Sequence, residues 1–284
     1  LSKTILGVVN HDRNSAQLRY VYPVVSRRAG GVSVGVNLNP NNACNWRCIY
    51  CQVPYLTRGT APAVDLALLE VELRGFLNEL LHGDFMQSRV PEGARRINDI
   101  ALSGNGEPTS AAEFFDVIKL IARVRAELCL PDSLKTVLIT NGSLLHRSDV
   151  QQGLRAMAQI QGEVWFKLDR ASAAGMLRVN DTRARMDKVR SNLIAAIKAC
   201  PTWLQTCWFA LDGAPPSTQD ENDYLTFVAD LLRDGYPLQG VLLYGLSRPS
   251  LQAEAPRLSA LPAAILQSFA DRINALGLPV KVSI

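Results

Sequence analysis

Ser33-Val-Gly-Val-Asn-Leu38 runs directly into Asn39-Pro-Asn-Asn-Ala-Cys44-Asn-Trp-Arg-Cys48-Ile-Tyr-Cys51, so a short β-prone apolar run stops in a polar loop that carries three cysteines. Working outward, the same grammar recurs. Further apolar runs rich in Val, Ile and Leu fall at Asp99–Ser103, Lys135–Thr140, Glu163–Leu168, Leu204–Ala210 and Gln239–Tyr244, separated by helical patterns. Leu66, Leu69, Leu73, Leu77 and Leu80 follow the cap Asp65, and Phe114, Val117, Ile118, Ile121 and Val124 form a second stripe. Strands alternating with helices predict a parallel sheet, and six such units suit a partial, open (β/α)6 TIM-like barrel of the α/β class. Val280–Ile284 is a seventh strand or a tail. Residues 1–32, with the β-prone stretch Leu18–Val25, then Arg27, Arg28 and Gly30-Gly31, read as an N-terminal extension, and 33–284 as one domain.

Composition narrows the class. The 284 residues are 48% hydrophobic and 20% charged, which excludes disorder, collagen and coiled coil. Three of the six cysteines fall within eight residues, and the other three, Cys129, Cys200 and Cys207, are scattered. That distribution is no disulfide framework, and with no signal-like leader and no apolar run long enough to span a membrane it predicts a reducing cytoplasm. The net charge of +4 allows an anionic partner without requiring one.

In parallel α/β folds ligands sit at the carboxyl ends of strands, and every polar motif here follows a candidate strand. Three thiolates spaced like Cys44, Cys48 and Cys51 can hold a [4Fe–4S] cube whose fourth iron stays open. A zinc site lacking its fourth ligand and simply packed thiols are the other readings. After the second strand, Gly104-Asn105-Gly106-Glu107-Pro108-Thr109 exposes backbone and fixes an acceptor; it is a ligand loop or an ordinary turn, and the acid argues against phosphate. Asn141 of Thr140-Asn-Gly142 is a ligand contact or a turn former. Lys167 and Asp169 are a binding or catalytic pair, or a local ion pair in the sheet. Gln205 and Cys207 share one strand face; Gln205 is a candidate substrate contact and Cys207 a hydrogen-atom donor or a small buried hydrophobe. Tyr244 and Arg248 add a ring and a guanidinium suited to a carboxylate or phosphate.

Cys44-x3-Cys48-x2-Cys51, with Tyr50 before the last cysteine, resembles the signature loop of the radical S-adenosylmethionine (SAM) superfamily. Gly104 to Thr109 resembles the glycine–glutamate motif with which that family binds the methionine ammonium. Together with Thr140-Asn-Gly142, Lys167-Leu-Asp169, Leu204-Gln-Thr206 and Tyr244-x-x-x-Arg248-Pro249, the set looks most like wyosine-type tRNA-modifying enzymes and their single-domain relatives. The resemblance implies one [4Fe–4S] cluster on Cys44, Cys48 and Cys51, and SAM against Tyr50, Gly104, Asn105, Gly106, Glu107, Pro108 and Asn141. Hydrogen abstraction would then act on a small molecule or peptide near Lys167, Asp169, Gln205, Tyr244 and Arg248.

The sequence departs from the wyosine pattern in having no cysteine before Cys44 for a second cluster. No cysteine-rich, cobalamin-binding or flavodoxin-like segment is recognisable, which implies an external one-electron donor such as flavodoxin or ferredoxin. Between Arg170 and Arg190 six cations face two acids, matching the net charge of the whole chain. RNA is therefore an alternative substrate, and a zinc-stabilised module without catalysis is an alternative of another class.

Overall fold

A computed structural model describes residues 18–26 and 30–284. Residues 1–17 and 27–29, Arg27 and Arg28 among them, lie outside the described residues. One eight-stranded sheet is laid out in chain order: β1 (Val21–Ser26), β2 (Gly31–Val36), β3 (Ile97–Leu102), β4 (Lys135–Thr140), β5 (Gly162–Lys167), β6 (Thr202–Cys207), β7 (Gly240–Tyr244) and β8 (Val280–Ser283). All neighbours are parallel except β1, which runs antiparallel to β2. The helices between them are α1 (Leu66–His82), α2 (Phe85–Arg89), α3 (Phe114–Glu127), α4 (Ser148–Ala158), α5 (Ala173–Asn180), α6 (Met186–Ala199), α7 (Thr218–Arg233) and α8 (Ala263–Asn274). This is the expected partial barrel, and Val280–Ile284 contributes a strand.

Alternation along the strands divides two environments. Val32, Val34 and Val36, Ile100 and Leu102, Val164 and Phe166, and Leu204 face the helices and are essentially inaccessible to solvent. Against them pack Leu69, Leu73 and Leu77 of α1 and the whole predicted stripe of α3. Each fully buried leucine of this kind contributes roughly 1.5–3 kcal/mol. The opposite residues, Ser33 and Gly35, Asp99 and Ala101, Trp165 and Lys167, Gln205 and Cys207, line an interior cavity of about 320 Å³. Tyr22 of β1 and Ser283 of β8 line it too, although β1 and β8 share no ladder, so the sheet curls without closing.

The part of the N-terminal segment that the structure describes belongs to this sheet. Glu72, set on the buried stripe of α1, accepts the backbone N–H groups of Arg19, Tyr20 and Val21 at 2.8, 2.8 and 3.2 Å. Tyr22 then lies across Gly35, where any Cβ would come within 2.3 Å of its ring, and its hydroxyl pairs with Ser103 Oγ at 2.8 Å. Strand β6 ends earlier than the apolar run predicts. Trp208 turns outward to stack on Phe269 at 4.2 Å, and Ala210–Leu211 pairs instead with Leu258–Ser259.

Candidate active site

The cysteine loop leaves the end of β2 and is fastened by its own asparagines. Asn37 Oδ1 accepts the N–H groups of Asn39 and Asn105, both at 3.0 Å, which ties the root of this loop to the glycine–glutamate loop after β3. Asn39 Nδ2 donates to the Ala43 carbonyl at 3.0 Å, and Asn105 Nδ2 donates to Asn42 Oδ1 at 2.6 Å. Farther along, Asn45 accepts from Asn141 Nδ2 (2.8 Å) and donates to Ser143 Oγ (2.7 Å), which joins the loop after β4. Three loops from three strand ends thus form one hydrogen-bonded body.

The other side of the loop is clamped by distant segments. The last turn of α5 offers the Val179 and Asn180 carbonyls to the N–H groups of Ile49 and Arg47. Ser250 Oγ donates to the Ile49 carbonyl at 2.7 Å, and Gln252 Nε2 donates to the Cys51 and Val53 carbonyls. Arg47 forms a fork with Glu254 (2.9 and 2.6 Å) and also meets Asp181 at 2.9 Å. Cys44, Cys48 and Cys51 all line the cavity. Burial pushes the Cys44 thiol up to about 12 and raises Cys48 further, so thiolates there require a positive centre to form. Among the described residues no three His, Cys, Asp or Glu side chains are gathered closely enough for a single metal ion.

Glu107 is the hub of the neighbouring loop. Its Oε1 accepts from Thr109 N, Thr109 Oγ1 and Thr140 Oγ1, and its Oε2 accepts from Asn141 N at 2.7 Å. Burial still pushes this carboxyl above the usual range, against those four bonds. Since a carboxylate has about four acceptor positions shared between two oxygens, Oε2 retains capacity toward the cavity. Gly106 is obligatory here, because a Cβ would meet the Ala43 carbonyl oxygen at 2.0 Å. Pro108 is buried behind this loop and does not line the cavity, while Gly104, Asn105, Gly106, Glu107 and Asn141 do.

Lys167 projects inward from the last residue of β5. Its Nζ lies 3.1 Å from Tyr244 Oη, with the rings of Tyr50 and Tyr244 at 5.1 and 5.8 Å. Burial works against its charge, but the electrostatic influence of Tyr244 and Asp169 outweighs that, and the net shift of the Lys167 ammonium is upward. Asp169, two residues on and past the end of the strand, stands behind the cavity wall. Its Oδ2 accepts from Tyr50 Oη (2.5 Å) and Asn180 Nδ2 (2.7 Å), and its Oδ1 accepts from Cys207 N (2.8 Å). Asn180 Nδ2 also lies 3.2 Å from Cys48 Sγ, leaving Asn180 Oδ1 buried without a partner.

Gln205, 2% exposed, presents an amide with no hydrogen-bond partner among the described residues, and Cys207 is fully buried beside it on the inner face. Burial pushes the Cys207 thiol up to about 12. Arg248 lies at the rim, and at the far end Ser33 donates to Asp99. Cys129 and Cys200 follow α3 and α6, at the opposite ends of the strands. The structure therefore brings Tyr50, Lys167, Gln205, Tyr244 and Arg248 to one cavity with the three cysteines. Sequence reasoning missed Asn45, Asn180, Ser250 and Gln252; the crowding of asparagines around the first cysteine is a signal for Asn45 alone, and the other three reach the loop only through the fold.

No family model matches the chain. A UPF0026 protein of Helicobacter pylori strain J99 is 26% identical over 239 residues, which cover 84% of this chain and 68% of that relative. The chain spans 44% of a second UPF0026 protein of that organism, from strain 26695. Among solved structures, a radical SAM methyltransferase from Sphaerobacter thermophilus superposes with a TM-score of 0.57 at 15% identity, covering 89% of this chain and 66% of that one. TYW1 with a lysine–pyruvate adduct bound superposes with a TM-score of 0.55 at 13% identity, covering 94% and 79%. These likenesses show the fold: the chain has the fold of radical SAM enzymes, TYW1 among them.

Proposed function

We propose that this chain is a radical SAM enzyme acting on a small molecule held inside the barrel. The observation that carries the reading is the joining of three loops, bearing Cys44, Glu107 and Asn141, into one hydrogen-bonded body at the cavity mouth. The residues present fit the implied groups. Three thiols line one cavity, Gly106 lets its loop pack directly on Ala43 and Asn39 of the cysteine loop, and the orphaned Asn180 Oδ1 sits beside Cys48.

Cys44, Cys48 and Cys51 would hold a [4Fe–4S] cluster, and Glu107 Oε2 with the Gly104–Gly106 backbone would take the methionine ammonium of SAM. When bound, these groups supply one-electron cleavage of SAM and a carbon radical able to take a hydrogen atom. The chain's own residues bind, orient and exclude water. Lys167, held as an ammonium between Tyr50 and Tyr244, attracts a carboxylate or phosphate. Gln205 offers an amide with no hydrogen-bond partner among the described residues, and Arg248 lies at the rim. Asp169 holds Tyr50 and Asn180 in place and acts through them.

A small substrate is favoured over a long RNA tract because most of the 170–190 cations are paired within the protein and form no broad basic rim. The test is anaerobic reconstitution and reduction, followed by quantitation of 5′-deoxyadenosine from SAM in wild type and Cys48→Ala. Wild type is expected to bind four irons with sulfide and to release 5′-deoxyadenosine, and the variant to do neither. One zinc with no sulfide, or an intact cluster with no 5′-deoxyadenosine above the variant's background, overturns the reading.

A further inference from the structure

The basic stretch singled out by the sequence resolves into two kinds of cation. Arg170 is buried over the Trp208 ring at 4.3 Å. Arg178 pairs with Asp220, Arg185 with Asp187 and Arg190 with Asp234, at 2.7, 2.7 and 2.5 Å. Arg183 and Lys188 have no acidic partner among the described residues. Both line a groove of about 410 Å³ that includes Ser143, Thr182 and Asn192 and no Asp or Glu.

One further observation points to a ligand there. The groove lies along the start of the 14-residue helix α6, where the Lys188 and Val189 N–H groups are bonded to the Arg185 carbonyl, so an anion would meet the side chains of Arg183 and Lys188 and not the helix end. Asn192 is 2% exposed, and its Nδ2 is committed to the Gly142 and Ser143 carbonyls. Its Oδ1 has no partner. An unpartnered buried acceptor among cations calls for a molecule that is anionic at one end and brings an N–H or O–H at the other.

The groove is separate from the inner cavity yet adjoins it. Phe166, which faces the helices, lines the groove, whereas the next residue, Lys167, lines the cavity; Trp46 and Asn141 line both. We propose that this groove binds the phosphate of a nucleotide-like substrate, with Arg183 and Lys188 on the phosphate and Asn192 Oδ1 accepting from a hydroxyl or amino group. Only the statement that the bound molecule is the substrate rests on the radical SAM reading; the binding does not.

The test is calorimetric titration of the cluster-loaded, SAM-saturated enzyme with uridine 5′-monophosphate, uridine and inorganic phosphate. The nucleotide is expected to bind more tightly than phosphate, and the nucleoside not to bind. Arg183→Ala and Lys188→Ala should each weaken the nucleotide about tenfold, the size of one charge-assisted hydrogen bond, while Arg185→Ala leaves it unchanged. Both residues are exposed, so the variants fold. No binding of the nucleotide, equal binding in all three variants, or binding only when SAM is absent overturns the proposal; the last outcome gives the groove to SAM. A single-stranded RNA tetranucleotide separates the sources: tighter binding with a steeper salt dependence assigns the phosphate to an RNA strand, and equal binding assigns it to a free nucleotide. A flat isotherm beside normal 5′-deoxyadenosine release counts against the groove alone, and the converse counts against the SAM chemistry alone.

Discussion

The mouth of the barrel and its inner wall are built on opposite principles. At the mouth nearly every polar side chain is committed: Asn37, Asn39, Asn45, Glu107, Asn141 and Asp169 all bond to the chain itself. Along the inner wall Ala101, Ile139 and Gln205 offer shape and one uncommitted amide. A site whose geometry is fixed before anything binds suits groups that never change, whereas a sparsely bonded wall suits whatever molecule a given enzyme must accept. Chemistry held constant and substrate left variable is how one fold serves many reactions.

The largest break in that contrast comes from the cysteines. Replacing Cys44, Cys48 or Cys51 by Ala should abolish iron and sulfide uptake and 5′-deoxyadenosine release together, measured by metal analysis and chromatography. Next is Glu107→Gln, which places an amide donor against the N–H and hydroxyl donors that now converge on a carboxylate. Roughly 1–3 kcal/mol of stability should be lost, read from urea midpoints, together with weaker SAM binding. Asn180→Ala is a gentler probe: without the donor at Cys48 Sγ the cluster should become harder to reduce, seen as a more negative midpoint in an electron paramagnetic resonance titration. An unchanged midpoint with an intact cluster would show that this contact only packs.

On the inner wall, Gln205→Ala should leave 5′-deoxyadenosine formation without substrate untouched and lower substrate-dependent turnover about tenfold, a split that sharpens the division of labour. The smallest effect concerns the clamp on the loop's outer face. Pairing with Arg47 holds the Glu254 and Asp181 carboxyls below their ordinary range. Their contribution is therefore present above the usual carboxylate pKa of about 4 and is lost as pH falls below it. Arg47→Ala should flatten that part of the acid unfolding curve.

The strands, the stripes of α1 and α3 and the inward face of Gln205 and Cys207 were legible because alternation and 3.6-residue periodicity survive as long as the element does. Asp169 lies past that reach. Strand β5 ends at Lys167, so the turn rather than the pleat aims the carboxylate, here toward Tyr50 and Asn180. Asn180 was invisible for a different reason: an asparagine at a helix end reads as a terminator, and only the docking of α5 on the cysteine loop shows that it also reaches Cys48. Likewise, counting charge in 170–190 could not separate the paired cations from Arg183 and Lys188, because pairing partners such as Asp220 and Asp234 lie far away in the chain.

The antiparallel β1 gives β2 a neighbour on both sides, and the cysteine loop springs from β2. Mechanically, the loop is a cantilever with its root built into masonry on both flanks, and Glu72 pins the outer course. An edge strand in that place would flex where the thiols need fixed footing. The stiffness of the cysteine loop is thus set partly by residues 19–26, which lie outside it in the chain.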